Sequence, residues 1–551
     1  MGRLLQRLEE KPQVMVAGCR EGSRMADFRW VERVIRSPVA GMIALGMSAG
    51  LLRLTVAWQY TSDPLGQYPW VDEASYWSWA KALLSTGWWP LRPFYQDPLY
   101  PYALACLMRM VGPDVAHLRI ASALLGSLTP VLVAIAGRMG LGRAEGWVAG
   151  WLTAFYGPLI FVDGSLEKEG LAAILTAASL VLTAIVWNSG RMIPAGIAGA
   201  AWGLVGLLRS NALLIGPLAA LWVACGGSSQ TKKGDRHSWQ LAGSMLLGVL
   251  IVVAPVAAIN TWISRPRELM GTTWQLGPNF YIGNGPGATG TYVAPAFVRA
   301  HPSYEASDYA MEAMRRAGRT LSPGQVSNFW LVEGLKQWTV APLGSIRNLV
   351  RKVEFVTHQT EIPDNEDIEF VTIVAAPALR WGFVGFGVVF PLAIIGLGRR
   401  PYNRFFWFLC LSTGVGLAGT AVFFVVGRYR VPWVPGLVLL AASGCVELVQ
   451  RIARADWKGF ALLITTLGLP AAVLCWHPMQ DPVPARWGNQ LVAKSVADLR
   501  SGRLDASIDD LDLARACSQP AARRVRELVT DGAFHDLLSE TIDRDPSNAS
   551  G

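Results

Sequence analysis

Residues 68–89 read YPWVDEASYWSWAKALLSTGWW, five tryptophans around a single adjacent pair of acids, Asp72 and Glu73. Trp and Tyr gather where a membrane meets water. An apolar run at about 38–59 precedes the stretch, and further apolar runs follow it. It therefore reads as an outer loop between membrane crossings, with two carboxylates held at headgroup depth. A carboxylate at that depth is either a solvated helix cap or a chemical tool.

The bulk composition agrees. Of 551 residues, 52% are hydrophobic and 16% charged, and mean hydropathy is +0.31. Soluble chains carry closer to about 25% charged residues, so the chain reads as a polytopic membrane protein. The net charge of +9 does not imply nucleic acid, because most basic residues sit in short loops between apolar runs. Seven cysteines occur with no CxxC pair, which predicts neither a disulfide framework nor a zinc site. Residues 1–37 are polar and mixed in charge, unlike a cleavable signal peptide.

A crossing needs roughly 20 apolar residues. Apolar runs lie near 38–59, 117–137, 144–162, 168–187, 193–208, 211–226, 239–262, 371–397, 405–427, 431–450 and 459–476. The expectation is an all-α polytopic fold of about eleven spans, at that count of residues per span. Arg29, Arg33, Arg36, Arg138, Arg143, Arg191, Lys232, Lys233, Arg236, Arg399, Arg400, Arg404, Arg451, Arg454 and Lys458 fall in alternate loops. The positive-inside rule then puts residues 1–37 in the cytoplasm. Two outer loops, 60–116 and 263–370, are large enough to fold, the second as a mixed region rich in Gly, Pro and aromatics. The tail, 477–551, carries GRLDASIDDLDLARA, whose Gly502, Ser507, Leu511 and Ala514 echo a tetratricopeptide repeat and predict a small extracytoplasmic helical module.

Asp72 opens a helical stretch and could cap it. Tyr76, Trp79, Ala80 and Leu83 recur at helical spacing, so this helix is expected to lie on the membrane with its apolar side down. Burial among tryptophans would raise the Asp72 pKa towards that of a general base. Adjacent residues on a helix point about 100° apart, so Asp72 and Glu73 do not flank one bond as a glycosidase pair does. Asp97 opens the surface helix of FYQDPLYPYALACL as a cap or a site residue, with Tyr100 close behind. Arg119 lies just inside a span, where arginine is costly unless paired or snorkelling. Arg428 and Arg430, at the outer end of VVGRYRVPWVPG, suit an anion, and the sequence does not separate them; Arg209 in LLRSNALL is a weaker case. Asp163, Glu167 and Glu169 share an outer loop. The acidic run 361–369, TEIPDNEDIE with its leading Thr360, lacks EF-hand spacing and reads as solvated.

In order and sidedness, the DE pair with its aromatic helix, PLYPY, LRIASALLG, LLRSNALL and RYRVPWVPGLVLLAA resemble the GT-C superfamily of membrane glycosyltransferases. The likeness is to glycosyltransferase family 39, the protein O-mannosyltransferase and aminoarabinose-transferase type, over about 40–450; NFYIGN, RKVEFV and EIPDNED resemble its bacterial members.

That resemblance implies a multi-pass protein of the plasma (inner) membrane. It implies a polyprenyl-phosphate sugar as donor and an inverting transfer on the outer face to a glycan, lipid or protein acceptor. The family's catalytic acid maps onto Asp72, with Glu73 beside it, and its span-opening arginine onto Arg119. Arg428, Arg430 and Arg209 would then face the donor phosphate, and Tyr76, Asp97, Tyr100, Asp163 and Glu167 the sugar or acceptor. Many members carry a basic residue where this chain has Asp97. The resemblance fixes no cofactor and leaves a divalent metal open, since carboxylates at an outer site could serve a metal as readily as act as a base. A lipid or solute transporter or flippase is the rival reading, although the paired halves of many transporters have no counterpart in the sequence.

Overall fold

The computed structural model describes residues 38–226, 235–299, 302–399, 402–479 and 486–517. The segment 1–37 with Arg29, Arg33 and Arg36, the loop residues Lys232 and Lys233, Arg400, and the tail beyond 517 lie outside the described residues. The chain is an all-helical, multi-pass membrane protein. Among the described residues, seven helices are long and apolar enough to cross a membrane. They are α1 (Pro38–Ser62), α4 (Val115–Gly140), α7 (Lys168–Ser189), α10 (Arg236–Ile263), α17 (Arg404–Val422), a span over Gly427–Ala453 ending in α18 (Val434–Ala453), and α19 (Trp457–Trp476).

The other four expected spans are built from shorter pieces. The run at 144–162 is two helices, α5 (Arg143–Ala154) and α6 (Gly157–Gly164). Met192–Leu208 (α8) and Ile215–Ala224 (α9) are short apolar helices joined by a 3-10 turn. The run at 371–397 breaks into α15 (Ile368–Val374), a 3-10 turn and α16 (Phe386–Gly396). Two of these breaks satisfy each other: Gly157 N donates to Val384 O at 2.9 Å, and Val384 N to Phe155 O at 3.1 Å. Unwound backbone among apolar helices persists only where such partners exist.

Small residues set the closest packing. A Cβ on Gly199 of α8 would lie 1.9 Å from Met245 O of α10, and one on Gly248 would lie 2.0 Å from Gly196 O. The two backbones therefore touch, as helices in lipid do where side chains are absent. Inside the bundle Arg53 pairs with Asp163 at 2.7 Å, both side chains sealed from solvent.

The loops sort to two ends. At one, Asn188 reaches Met139 O, Asn403 reaches Gly140 O, Arg404 reaches Gly226 O and Arg399 pairs with Glu145. This end gathers the arginine-rich loops. The other end carries two surface helices, α2 (Asp72–Thr86) and α3 (Leu99–Val111). Beside them lies a helical region of α11 (Leu276–Asn284), α12 (Pro302–Ala317), α13 (Pro323–Val340) and α14 (Pro342–Thr357). The expected mixed region is thus helices and irregular connections, with no strand among the described residues. An aromatic core of Trp274, Tyr281, Tyr309 and Trp330 holds it, and a Ser322–Gln325 capping box starts α13.

The tail forms a helical pair, α20 (Arg486–Arg500) and α21 (Leu504–Cys517), turning at Gly502 with φ 77°. Val492, Leu511 and Ala514 make its core, and Ser495 Oγ sits 2.9 Å from Ser507 Oγ.

Candidate active site

The site forms where α2 meets the starts of α7 and α18. The chain enters α2 through Val71 at φ 48°, ψ −109°, a left-handed conformation that a β-branched residue adopts only under strain. No side chain caps this helix, so the cap reading of Asp72 fails. Tyr76, Ala80 and Leu83 pack on Tyr100, Leu104, Met108 and Leu118. The apolar face of α2 thus rests on protein rather than on lipid, with Tyr76 edge-on to Tyr100 at 5.2 Å.

The two acids part company at once. Glu73 is 1% exposed and takes a bidentate grip from Arg119, at 2.7 and 2.6 Å, plus Leu166 N at 2.7 Å. Arg119 spends its other donors on Gly66 O and Gly164 O and lies over the Tyr60 ring. This pair is saturated and sealed. Arg119, fully buried, is thus committed to protein partners, as are both oxygens of Glu73.

Asp72 faces a different company. Arg428 binds it at 2.5 Å, and the same guanidinium reaches Asp364 at 2.6 Å, Glu167 at 2.5 Å and Glu169 at 4.0 Å. One cation serves four carboxylates. Arg209 adds a second cation, paired with Glu169 and stacked 4.0 Å over Tyr429, with its Nε buried and unpartnered. Asn365 donates to Glu167 at 2.8 Å.

Burial pushes the Asp72 carboxyl up, but the charge and hydrogen bond of Arg428, with help from Asn365 and Lys168, outweigh it and hold Asp72 below the usual carboxylate range. The expected upward shift is therefore corrected: a paired arginine wins over the aromatic surroundings. The surplus falls on the neighbours. Burial, only partly offset by Arg428 and reinforced by Glu169 and Asp72, raises Glu167 to about 8. Asp364 is also raised, by burial against the pull of Arg428. Burial and the Glu73 charge lift Glu366, which accepts from Tyr60 Oη, to about 7. Burial around one shared guanidinium thus leaves Glu167 and Asp364 above the usual carboxylate range.

Asp97 is not a cap either. It is 2% exposed, accepts Lys168 Nζ at 2.6 Å and Ser210 Oγ at 2.5 Å, and so carries a lysine from another helix beside it. Arg430 is separated from Arg428 by the fold. It turns away to Glu361 at 2.7 Å and to the carbonyls of His358 and Thr360, anchoring the acidic loop. Asp163 belongs to the Arg53 pair inside the bundle rather than to this cluster.

The acidic run read as solvated folds into the site. Asp364, Asn365 and Glu366 line a cleft with Glu167, Phe161 and Arg428, with about 40 Å³ of free volume. That holds a water or so, far less than a sugar ring. Sequence reasoning also passed over Lys168. Its only signal was position: a lysine inside the first turn of a helix that starts at the acidic loop.

Among the described residues no group of three or more His, Cys, Asp or Glu side chains is arranged to hold a metal ion.

No family model matches the chain, and no curated protein does. Solved structures give weak likenesses. The oligosaccharyltransferase AglB of Archaeoglobus fulgidus, in complex with an inhibitory peptide and a dolichol-phosphate, is 13% identical at a TM-score of 0.44, covering 88% of this chain and 59% of its own. ArnT from Cupriavidus metallidurans, bound to undecaprenyl phosphate, is 14% identical at 0.43, over 94% and 78%. The arabinosyltransferase EmbB of Mycobacterium smegmatis is 15% identical at 0.25, over 81% and 43%. The chain thus spans 59% of the length of the archaeal enzyme. At TM-scores of 0.44 and below, none of the three by itself decides what this chain does.

Proposed function

We propose that the protein is a membrane glycosyltransferase that moves a sugar from a polyprenyl-phosphate donor to an acceptor hydroxyl, at the membrane end that carries α2 and the acidic loop. One observation carries the reading: Asp72, ionised and half-buried, is tied at 2.5 Å to Arg428, beside a cleft at the headgroup end of the bundle.

In the proposed step the acceptor oxygen attacks the anomeric carbon and its proton passes to Asp72. The bond from that carbon to the phosphate oxygen breaks, and polyprenyl phosphate leaves. A carboxylate held below its usual range is a poor base while Arg428 grips it. A phosphate would compete for the same guanidinium, whose geometry suits it. As Arg428 turns to the phosphate, Asp72 loses its partner and becomes the stronger base. The donor that needs the arginine thus arms the acid. Arg209, with its spare Nε, and Lys168, whose charge is felt at Asp72, would share the leaving charge, which is the largest kind of help an enzyme gives. Glu167, whose carboxyl is raised to about 8, can hold its proton and so add no charge against that anion.

The test is transfer of a labelled sugar from a synthetic polyprenyl-phosphate donor by the purified protein, set against Asp72→Asn. Equal turnover by both removes the base assignment. Lipid or solute movement in liposomes without transfer replaces the reading altogether.

A further inference from the structure

The tail packs on the site rather than standing apart from it. Gln490 of α20 is 3% exposed and donates its side-chain N–H to Asn365 O at 3.0 Å. Trp487 meets Phe370 edge-on at 6.0 Å, just after the acidic loop. Ala493 joins the apolar cluster of Leu65 and Phe370, and Tyr68 Oη donates to Arg500 O at 3.1 Å. One helix thus touches both the segment that leads into Asp72 and the loop that supplies Asp364 and Asn365.

A continuous chain of polar contacts follows. Gln490 holds the Asn365 backbone, the Asn365 side chain holds Glu167, Glu167 holds Arg428, and Arg428 holds Asp72. The loop has no helix of its own between Thr360 and Asp367. Its shape rests on Arg430 at one end, on the Asp367 cap of α15 at the other, and on Gln490 in the middle. When Arg428 leaves Asp72 for a phosphate, Gln490 keeps Asn365 and Glu167 where they were.

From this geometry we infer that Gln490 is a positioning residue for the transfer reaction, holding the acidic loop so that Arg428 changes partners while Glu167 stays put. The inference rests on the proposed glycosyl transfer, but its mechanical half is measurable without it.

The experiment uses the full chain in lipid nanodiscs with two variants, Gln490→Leu and Ser495→Ala. Ser495 Oγ is hydrogen-bonded to Ser507 inside the tail pair, so its loss loosens the pair without removing the bond to Asn365. Amide exchange is followed in peptides spanning 361–369 and 487–515. Gln490→Leu should speed exchange of 361–369 by about tenfold, the weight of one buried hydrogen bond, with 487–515 unchanged. It should lower kcat by about tenfold while KM for the lipid donor changes less than about twofold, because the loss is of geometry rather than of binding. Ser495→Ala should speed exchange in 487–515 and leave kcat within about twofold. Unchanged exchange in 361–369 overturns the inference, as does a parallel rise in both peptides, which marks simple unfolding of the tail pair. If the wild type transfers no sugar while the exchange result holds, the glycosyl-transfer reading fails and the mechanical link stands.

Discussion

Asp72 and Glu73 are neighbours in the chain and opposites in the fold. Glu73 meets one arginine, two parallel hydrogen bonds and a backbone N–H, with no oxygen left over and no solvent. Asp72 shares with three other acids one arginine, Arg428, that lines a cleft. The first arrangement is complete, and any change leaves a buried charge unpaired. The second is over-supplied with acid, so partners can be exchanged at little cost. A structural ion pair and a reactive one differ here in stoichiometry and in access to a cleft.

The contrast breaks most visibly at the sealed pair. Arg119→Leu or Glu73→Gln should cost about 3–5 kcal/mol of stability, the usual result of stranding one buried charge. Thermal unfolding in detergent reads it, and a drop of less than about 1 kcal/mol would put the pair in the exchangeable class. Asp72→Asn should do the reverse. Sugar transfer should fall by at least about hundredfold, the common weight of a general base, while the unfolding temperature stays close to wild type, since Arg428 keeps its other acids.

Glu167 sharpens the comparison through pH. Its carboxyl is raised from 4.5 to about 8 in the folded chain. A raised acid binds its proton more tightly when folded, so its contribution is present in full below pH 4.5 and is lost as pH rises through 8. Glu167→Gln should therefore flatten the decline in unfolding temperature across that interval. Asp72 has the opposite sign: its carboxyl is depressed, and its contribution disappears only in acid, below its usual 3.8. The smallest effect should be at Asp364. Removing one surplus charge, Asp364→Asn should change stability by no more than about 1 kcal/mol and shift the Glu167 transition to lower pH. A loss as large as that at Glu73 would erase the distinction.

Several elements of this site were legible before folding. The aromatic belt marked α2, the alternation of basic loops marked the two ends, and Arg428 and Arg430 stood out together, unseparated, as cations on the side where cations are scarce. The acidic loop was misjudged because local composition says only that TEIPDNEDIE is polar; its burial depends on Arg430 and Gln490, 69 and 129 positions beyond Glu361 in the sequence. The same distance hid the partner of Asp97, since nothing local ties it to Lys168. The Asp72 pKa went the wrong way because aromatic neighbours are visible in sequence and a guanidinium 356 residues away is not.

By itself the sequence determined that this chain crosses a membrane many times and places acids and arginines at one face, because hydropathy and charge act within a few residues of their own position. The tertiary structure alone decided which arginine meets which acid. An ion pair depends on distances of a few ångströms between segments hundreds of residues apart, and only packing fixes those.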